Sequence, residues 1–247
     1  MNNIFKNIID AADKDIKQLA VLIDPDKMRV ETVSSFITKV NQSIATHIFV
    51  GGSEVDEGVT ETLVAEIKRH TALPVILFPG DVIQITDKAD GILFLSLISG
   101  RNPDYLIGKQ VEAVSKLVKT KLEIIPTGYV LIENGKETAV QRVSETKPLK
   151  RNDLQTIKDT AKAGELLGMK LIYLEAGSGA THPIDLYIIS EVKRQLNIPL
   201  IVGGGIRTKI ELDSAYNAGA DLVVIGTAFE NDVTFFDKLK KQQIFNS

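Results

Sequence analysis

Three short glycine-rich segments follow apolar runs in the second half of the chain. They are YLEAGSG at residues 173–179, VGGGIR at 202–207 and IGTAF at 225–229. Glycine lets main-chain N–H groups approach an anion without a Cβ atom in the way, and a helix that begins near Thr208 points its positive end inward. The pattern predicts a phosphate site. The alternative is that these glycines only form tight turns.

A carboxylate stands at the end of the apolar run that precedes the first of these segments. Strand alternation places Tyr173 and Glu175 on one side and Leu174 on the other. Glu175, beside a bound phosphate ester, has the chemistry of a general base for a neighbouring hydroxyl. The alternative is a structural salt bridge to Arg207 or to a lysine.

A second set of oxygen donors lies early in the chain. Asp24 ends an apolar run in the sequence DPDK, and Ser53 follows the next run in GGSE. Mg²⁺ favours one or two protein carboxylates together with phosphate and water oxygens, so Asp24 is the candidate metal ligand and Ser53 is a possible second one. Both residue types are also ordinary helix caps. The three histidines show no metal-ligand spacing, and we place His47 at a strand edge.

Eight β-rich apolar runs alternate with helical periodicity and must position these groups. Such runs suit parallel strands buried on both faces, and eight βα units close into a barrel. The sequence therefore predicts an α/β fold, a single (β/α)8 TIM barrel over residues 1–247, with an extra N-terminal helix within 1–18. The predicted strands are 19–24, 47–51, 74–78, 92–97, 122–126, 170–174, 199–202 and 222–225.

Two connections depart from an even barrel. Residues 79–91 are too few for a full crossover helix, which predicts an altered or missing third helix. An apolar gap is then expected beside Leu77, Phe78, Leu93, Phe94 and Leu95, unless a short 3₁₀ piece covers it. Residues 129–150 form a long polar segment, which we interpret as a hairpin or a lid over the barrel mouth.

Composition excludes several classes of function. The chain has 247 residues, 44% of them hydrophobic, and its formal charge of -3 provides no field that would gather nucleic acid. It has no cysteine, and the N-terminal residues lack the apolar core of a signal peptide, so we expect a cytoplasmic protein. The most apolar stretch, 91–100, is shorter than the ~20 residues that span a bilayer.

The motifs taken together closely resemble those of the geranylgeranylglyceryl phosphate synthases and of the related bacterial heptaprenylglyceryl phosphate synthase. DPDK, GGS, YLEAGSG, VGGGIR and IGTAF carry the resemblance, which extends over residues 19–232. The resemblance implies a Mg²⁺-dependent prenyltransferase that joins the 3-hydroxyl of sn-glycerol 1-phosphate to geranylgeranyl diphosphate. It also implies an altered third helix, a homo-oligomer, and transient membrane contact for the lipid product.

Site residues carry over from the resemblance position by position. It implies Mg²⁺ ligation by Asp24 and Ser53, and catalytic roles for Glu175 and Tyr173. The implied glycerol-phosphate site consists of Tyr173, Leu174, Glu175, Ala176, Gly177, Ser178, Gly179, Gly204, Gly205, Gly226 and Thr227.

One departure bears on the prenyl donor. Bacterial heptaprenyl enzymes carry a lysine two residues before the metal-binding aspartate, where this chain has Leu22. The difference favours the archaeal type of chemistry and leaves the prenyl length open. Three alternatives remain: a heptaprenylglyceryl phosphate synthase, a sugar-phosphate isomerase or lyase on the same barrel, and a non-catalytic phosphate-binding barrel.

Overall fold

Eight parallel strands form a closed barrel in the computed structural model, which describes residues 3–231 and 233–240. Each strand pairs with its neighbours in chain order, and β8 pairs with β1 to close the ring. This confirms the predicted TIM barrel. The strands are β1 Gln18–Ile23, β2 His47–Val50, β3 Val75–Leu77, β4 Gly91–Ser96, β5 Glu123–Leu131, β6 Leu171–Glu175, β7 Leu200–Gly203 and β8 Leu222–Ile225.

Helices connect the strands and surround the barrel. Several begin at side-chain caps, and the Thr208 hydroxyl accepts the Glu211 N–H while Glu211 reaches back to the cap in a capping box. None of the described helices is both long enough and apolar enough to cross a membrane. The α-helices are α1 Ile4–Asp13, α2 Val30–Gln42, α3 Val59–His70, α4 Lys109–Leu117, α5 Ala139–Ser144, α6 Leu154–Leu166, α7 Leu186–Lys193, α8 Lys209–Asn217 and α9 Thr227–Asn231.

Helix α1 closes the floor of the barrel, where the strands begin. Its Ile4 and Ile8 side chains join the core inside the barrel, and the Glu123 carboxylate accepts the N–H groups of Ile4 and Phe5 at 2.7 and 2.9 Å. The carboxylate therefore satisfies donors at the positive end of α1 that have no partner within the helix. A second core lies outside the strands, between them and the helices.

A single 3₁₀ turn, Val82–Gln84, stands between β3 and β4 in place of an α-helix. This confirms the altered third helix. Val82 is buried in the outer core and Phe94 is only partly covered there, while Leu77 and Leu93 are fully buried. The turn thus covers much of the expected gap. Phe78 and Leu95 belong to the core inside the barrel.

Strand β5 is longer than predicted and continues through Pro126 to Leu131. Pro126 lacks an N–H, but its carbonyl still accepts the Lys170 N–H. Residues 129–131 are therefore strand, and the long connection begins at Ile132. Its interpretation as a hairpin is wrong, because Ile132 and Leu149 form a parallel bridge and α5 lies between them.

The sequence-based prediction that His47 lies at a strand edge is wrong. It is 3% exposed, and its ring lies beside Phe49 inside the barrel, with Nδ1 2.8 Å from the Thr46 hydroxyl oxygen. Because β2 pairs with both β1 and β3 in the closed barrel, no edge is left open there.

Candidate active site

A cleft opens at the end of the barrel where the strands finish. It has a volume of about 380 Å³, which is within the range of small-molecule sites. Its lining comes from the segments after strands β1, β2, β3, β6, β7 and β8, and from α5 and the start of α4. The barrel therefore brings the predicted oxygen donors and glycines to one place.

Glu175, the last residue of β6, supplies a buried carboxylate to this cleft. It is 5% exposed, and its Oε1 accepts the Gly177 N–H at 2.6 Å. Burial raises the pKa of the Glu175 carboxyl, and the Gly177 N–H and the hydroxyls of Tyr173 and Tyr129 offset part of that rise. A carboxylate with a raised pKa is a stronger base than one in water.

An aromatic group surrounds the carboxylate. The rings of Phe78 and Tyr173 stack with centroids 5.3 Å apart, and Tyr129 meets Tyr173 edge to face at 5.3 Å. Burial, and then the Glu175 charge, hold the pKa of both tyrosines well above 10, so both hydroxyls keep their protons. The Tyr173 hydroxyl is buried near the Glu175 carboxylate, yet within the described residues it makes no hydrogen bond of good geometry. Such a group is suited to a ligand hydroxyl.

The triple glycine after β7 is explained by these side chains. A Cβ atom on Gly203 would clash with the Tyr173 hydroxyl, and one on Gly204 would clash with the Glu175 carboxylate. Gly204 also has φ +84°, a conformation that disfavours other residues. Both positions must therefore be glycine for Tyr173 and Glu175 to lie where they do.

Polar contacts join the glycine-rich segments across the cleft. The Ser178 and Thr227 hydroxyl oxygens lie 3.5 Å apart. Arg207 does not pair with Glu175, because its guanidinium donates to the carbonyls of Ala180 and Thr181. The salt-bridge alternative for Glu175 and Arg207 is thus not formed. The arrangement leaves Gly177, Gly179, Gly205 and Gly226 lining the cleft.

Asp24 lies across the cleft at the end of β1. Its Oδ2 is 3.0 Å from Lys27 Nζ, and its Oδ1 accepts the Asp26 N–H at 3.2 Å. A Cβ atom on Gly52 would lie 2.6 Å from Asp24 Oδ1, so the main chain next to Ser53 packs against this carboxylate. Asp24 and Ser53 both line the cleft, as expected.

These donors fit Mg²⁺ in chemical type and in number. Among the residues that the structure describes, no group of three or more His, Cys, Asp or Glu is close enough to hold a metal alone. Mg²⁺ does not require such a cage, because it keeps several waters and shares phosphate oxygens. The Gln84 amide bonds both the N–H and the carbonyl of Gly52, so the 3₁₀ turn supports this segment.

One side of the cleft is apolar. Its carbon surface comes from Phe78 just after β3, from the end of β4 and the residue after it, from the segment before α4, and from helix α5. The Tyr105 hydroxyl donates to the Val143 carbonyl at 2.8 Å, which ties the segment before α4 to α5. The apolar residues of this side are Phe78, Leu95, Leu97, Tyr105, Val140 and Val143.

Comparison with known proteins identifies the family. The sequence model of a protein family described as "PcrB family" matches residues 14–243 of this chain. The chain belongs to the PcrB family. The geranylgeranylglyceryl phosphate synthase of Flavobacterium johnsoniae is 57% identical over 96% of this chain and 98% of its own length, and that of Thermococcus gammatolerans is 42% identical over 92% and 90%. As a member of this group the chain is a prenyltransferase.

A solved structure of a similar protein has the same fold. The crystal structure of (S)-3-O-geranylgeranylglyceryl phosphate synthase from Thermoplasma acidophilum, in complex with substrate sn-glycerol-1-phosphate, superposes with a TM-score of 0.91. The two chains are 33% identical, and the match covers 97% of this chain and 96% of that one.

Two of the site residues predicted for this PcrB-family chain lie outside the cleft. Leu174 and Ala176 are fully buried in the outer core, and neither lines the cleft. Strand alternation points their side chains away from the barrel interior. The other predicted residues line the cleft: Asp24, Ser53, Tyr173, Glu175, Gly177, Ser178, Gly179, Gly204, Gly205, Gly226 and Thr227.

Tyr129 is a residue of the cleft that the sequence patterns did not predict. Tyr129 is 6% exposed, and its hydroxyl lies near Glu175. Ending strand β5 at Pro126 hid it, although the run YVLI that follows has the composition of a strand. Continuing the alternation through this run would have indicated a second inward-facing tyrosine.

Proposed function

We propose that this chain forms an ether between the 3-hydroxyl of sn-glycerol 1-phosphate and C1 of geranylgeranyl diphosphate, with Mg²⁺, and releases diphosphate. The observation that carries the proposal is that one cleft contains the buried Glu175 carboxylate, glycine-rich segments suited to one anion, and Asp24 with Ser53, which suit a second, metal-bound anion. Two phosphorylated substrates bound there would meet at the carboxylate.

The glycerol phosphate is held at the glycine-rich side. Main-chain N–H groups of residues 178–179 and 204–205 bind its phosphate, and the unpartnered Tyr173 hydroxyl bonds a glycerol hydroxyl. Glu175 accepts a hydrogen bond from the 3-hydroxyl and takes its proton as the oxygen attacks C1. The C1–O bond to diphosphate breaks at the same time, and diphosphate leaves with the electron pair.

Asp24 and Ser53 would hold Mg²⁺ at the other side. When bound, the ion offsets the negative charge that builds on the leaving diphosphate. Lys27, which pairs with Asp24 at 3.0 Å, adds a positive charge near that group. Phe78, Tyr129 and Tyr173 exclude water from the reacting carbon.

The apolar side of the cleft receives the isoprenoid tail. Each buried CH₂ group contributes about 0.8 kcal/mol, so a C20 tail requires a long apolar surface. The side chains from β3, β4 and α5 provide such a surface next to the shortened third connection. Leu22 also lines the cleft, where a lysine would add a charge.

Product analysis tests the proposal. The protein is incubated with radiolabelled sn-glycerol 1-phosphate, Mg²⁺ and prenyl diphosphates of graded length, and the extracted lipid is identified. We expect an ether-linked product, with geranylgeranyl diphosphate as the best donor. A longer preferred donor would support the heptaprenyl alternative, and Mg²⁺-independent turnover of a sugar phosphate would contradict the proposal.

The metal site has its own test. Asp24→Asn should raise the Mg²⁺ concentration that gives half-maximal activity, because one carboxylate ligand loses its charge. Asp56→Asn, an exposed change outside the cleft, is the matched control and should leave the titration unchanged. An identical Mg²⁺ titration for Asp24→Asn would remove that residue from the metal site.

We further propose a cytoplasmic homo-oligomer that contacts the membrane transiently to release its lipid product. The motif resemblance supports the oligomer, and the apolar nature of the product supports the membrane contact. Sedimentation equilibrium and vesicle flotation test the two parts separately.

A further inference from the structure

The connection after β5 packs directly against the glycine-rich segment after β6. The Asn134 amide donates to the Ala176 carbonyl, and the Thr138 side chain occupies the space that a Cβ atom on Gly177 would take. Lys136 lies between these two residues, and its Nζ is 3.2 Å from the place of a Cβ atom on Gly179. The connection thus forms an outer wall of the phosphate site.

The two positively charged side chains near this segment, Arg207 and Lys136, differ in whether they already have hydrogen-bond partners. Arg207 lies on its other side and already donates to the carbonyls of Ala180 and Thr181. Within the part of the chain that the structure describes, Lys136 has no ion-pair or hydrogen-bond partner. An exposed ammonium without a partner therefore stands beside Gly179, in the glycine-rich segment proposed to bind the phosphate.

A phosphate ester at neutral pH carries nearly two negative charges, whereas a cradle of N–H groups supplies only partial positive charge. A full positive charge within reach adds a charge-assisted hydrogen bond, which is stronger than a neutral one. We propose that Lys136 completes the glycerol-phosphate site by binding the phosphate dianion directly. The inference rests on the proposed function and adds a binding residue to it.

The position of Lys136 has a structural consequence. Two residues later Thr138 caps α5, with the Gln141 side chain closing the capping box. Helix α5 carries Val140 and Val143 over the apolar side of the cleft. Lys136 therefore lies just before the helix that lines the apolar side of the cleft.

The test is calorimetric titration of sn-glycerol 1-phosphate into the full-length protein without prenyl diphosphate. Lys136→Gln should raise the Kd about tenfold, as expected for the loss of one charge-assisted hydrogen bond. Lys136→Arg keeps the charge and should stay within about threefold of wild type. The wild-type Kd should also rise more steeply with added KCl than that of Lys136→Gln.

Lys147→Gln is the matched control, because Lys147, like Lys136, is an exposed lysine of the same connection outside the cleft lining. It should leave the Kd unchanged. Steady-state kinetics should place the Lys136→Gln effect on the KM for glycerol phosphate, and should leave kcat and the KM for prenyl diphosphate within about twofold of wild type.

Equal Kd values for wild type and Lys136→Gln would overturn the assignment, and so would an effect confined to prenyl diphosphate. In either case the proposed function would stand, because the wild type still binds glycerol phosphate. A wild-type protein that binds no glycerol phosphate would sink both proposals.

Discussion

The mouth and the floor of the barrel each bury an ionisable side chain, and burial acts on the two in the same way. At the mouth it raises the pKa of Glu175, and at the floor it lowers the pKa of His47 to about 4. Both shifts favour the neutral form. At neutral pH, however, only Glu175 must be charged to act as a base.

The two ends therefore differ in what burial costs. His47 is neutral at pH 7 and fits a floor sealed by α1 at no electrostatic cost. The charge on Glu175 is stabilised by the Gly177 N–H and by the hydroxyls of Tyr129 and Tyr173. Together these groups offset only part of the cost of burying the charge. The reactive end of this barrel is thus the end that buries a carboxylate which must be charged, although burial favours its neutral form.

The largest effect is expected at the mouth. Glu175→Gln keeps the shape of the side chain and removes the base, so kcat should fall about 10²–10⁴-fold. The Kd for sn-glycerol 1-phosphate should stay within about threefold, because the N–H groups that hold the phosphate are unchanged. Rapid-quench turnover and calorimetry measure the two quantities.

Glu133→Gln is the matched control, since Glu133 is an exposed carboxylate shortly after the neighbouring strand. It should retain full turnover. If Glu175→Gln lost binding and rate in equal proportion, the residue would be an anchor for the substrate instead of a base.

At the floor a change should affect stability and not chemistry. Ile8 is fully buried beneath the barrel, and Ile8→Ala should lower the free energy of unfolding by about 2–5 kcal/mol. Denaturant unfolding measures this loss, and Ile16→Ala, at a site 55% exposed, is the control. A large fall in kcat for Ile8→Ala at a temperature where it remains folded would break the contrast between the two ends.

His47 should make the floor sensitive to acid. Its ordinary pKa of 6.5 applies to the unfolded chain and about 4 to the folded one, so the unfolded state binds the proton first as the pH falls. The free energy of unfolding should therefore fall by about 3 kcal/mol as the pH is lowered from 6.5 to 4.

Urea unfolding at a series of pH values measures this slope. His47→Gln should flatten it, while the exposed His182→Gln should not. An unchanged slope in His47→Gln would show that another group causes the acid sensitivity.

Local patterns predicted most of the fold. Apolar runs located all eight strands, and the shortness of residues 79–91 revealed the altered third helix. The predicted end of β5 at Pro126 was wrong. The missing N–H of a proline is visible in the sequence, but the pairing of Pro126 with Phe94, which lets the strand continue, depends on a distant strand. The fate of His47 was hidden for the same reason, since only barrel closure buries it.

The candidate site was predictable where residues follow strand ends. Glu175, Tyr173, Asp24 and the glycines come directly after apolar runs, and parallel strands must bring such ends together. Lys136 has no such signal. Its ammonium comes close to Gly179, a residue of the cleft lining, because the connection after β5 lies over residues 176–179, a contact between segments about forty positions apart.

The smallest expected effect is a shift in melting temperature. It tests most directly whether the barrel holds Glu175 in its charged form. Its folded pKa is above the ordinary 4.5, so ionisation costs stability once the pH rises through that folded pKa, and Glu175→Gln never bears the cost. The measurement is the melting temperature of wild type and Glu175→Gln, from pH 7 down to pH 4.5. We expect the inactive variant to melt higher at pH 7 and the difference to shrink toward pH 4.5. A Glu175→Gln protein that melts lower than wild type at pH 7 would contradict the idea that the barrel holds this carboxylate charged at a cost in stability.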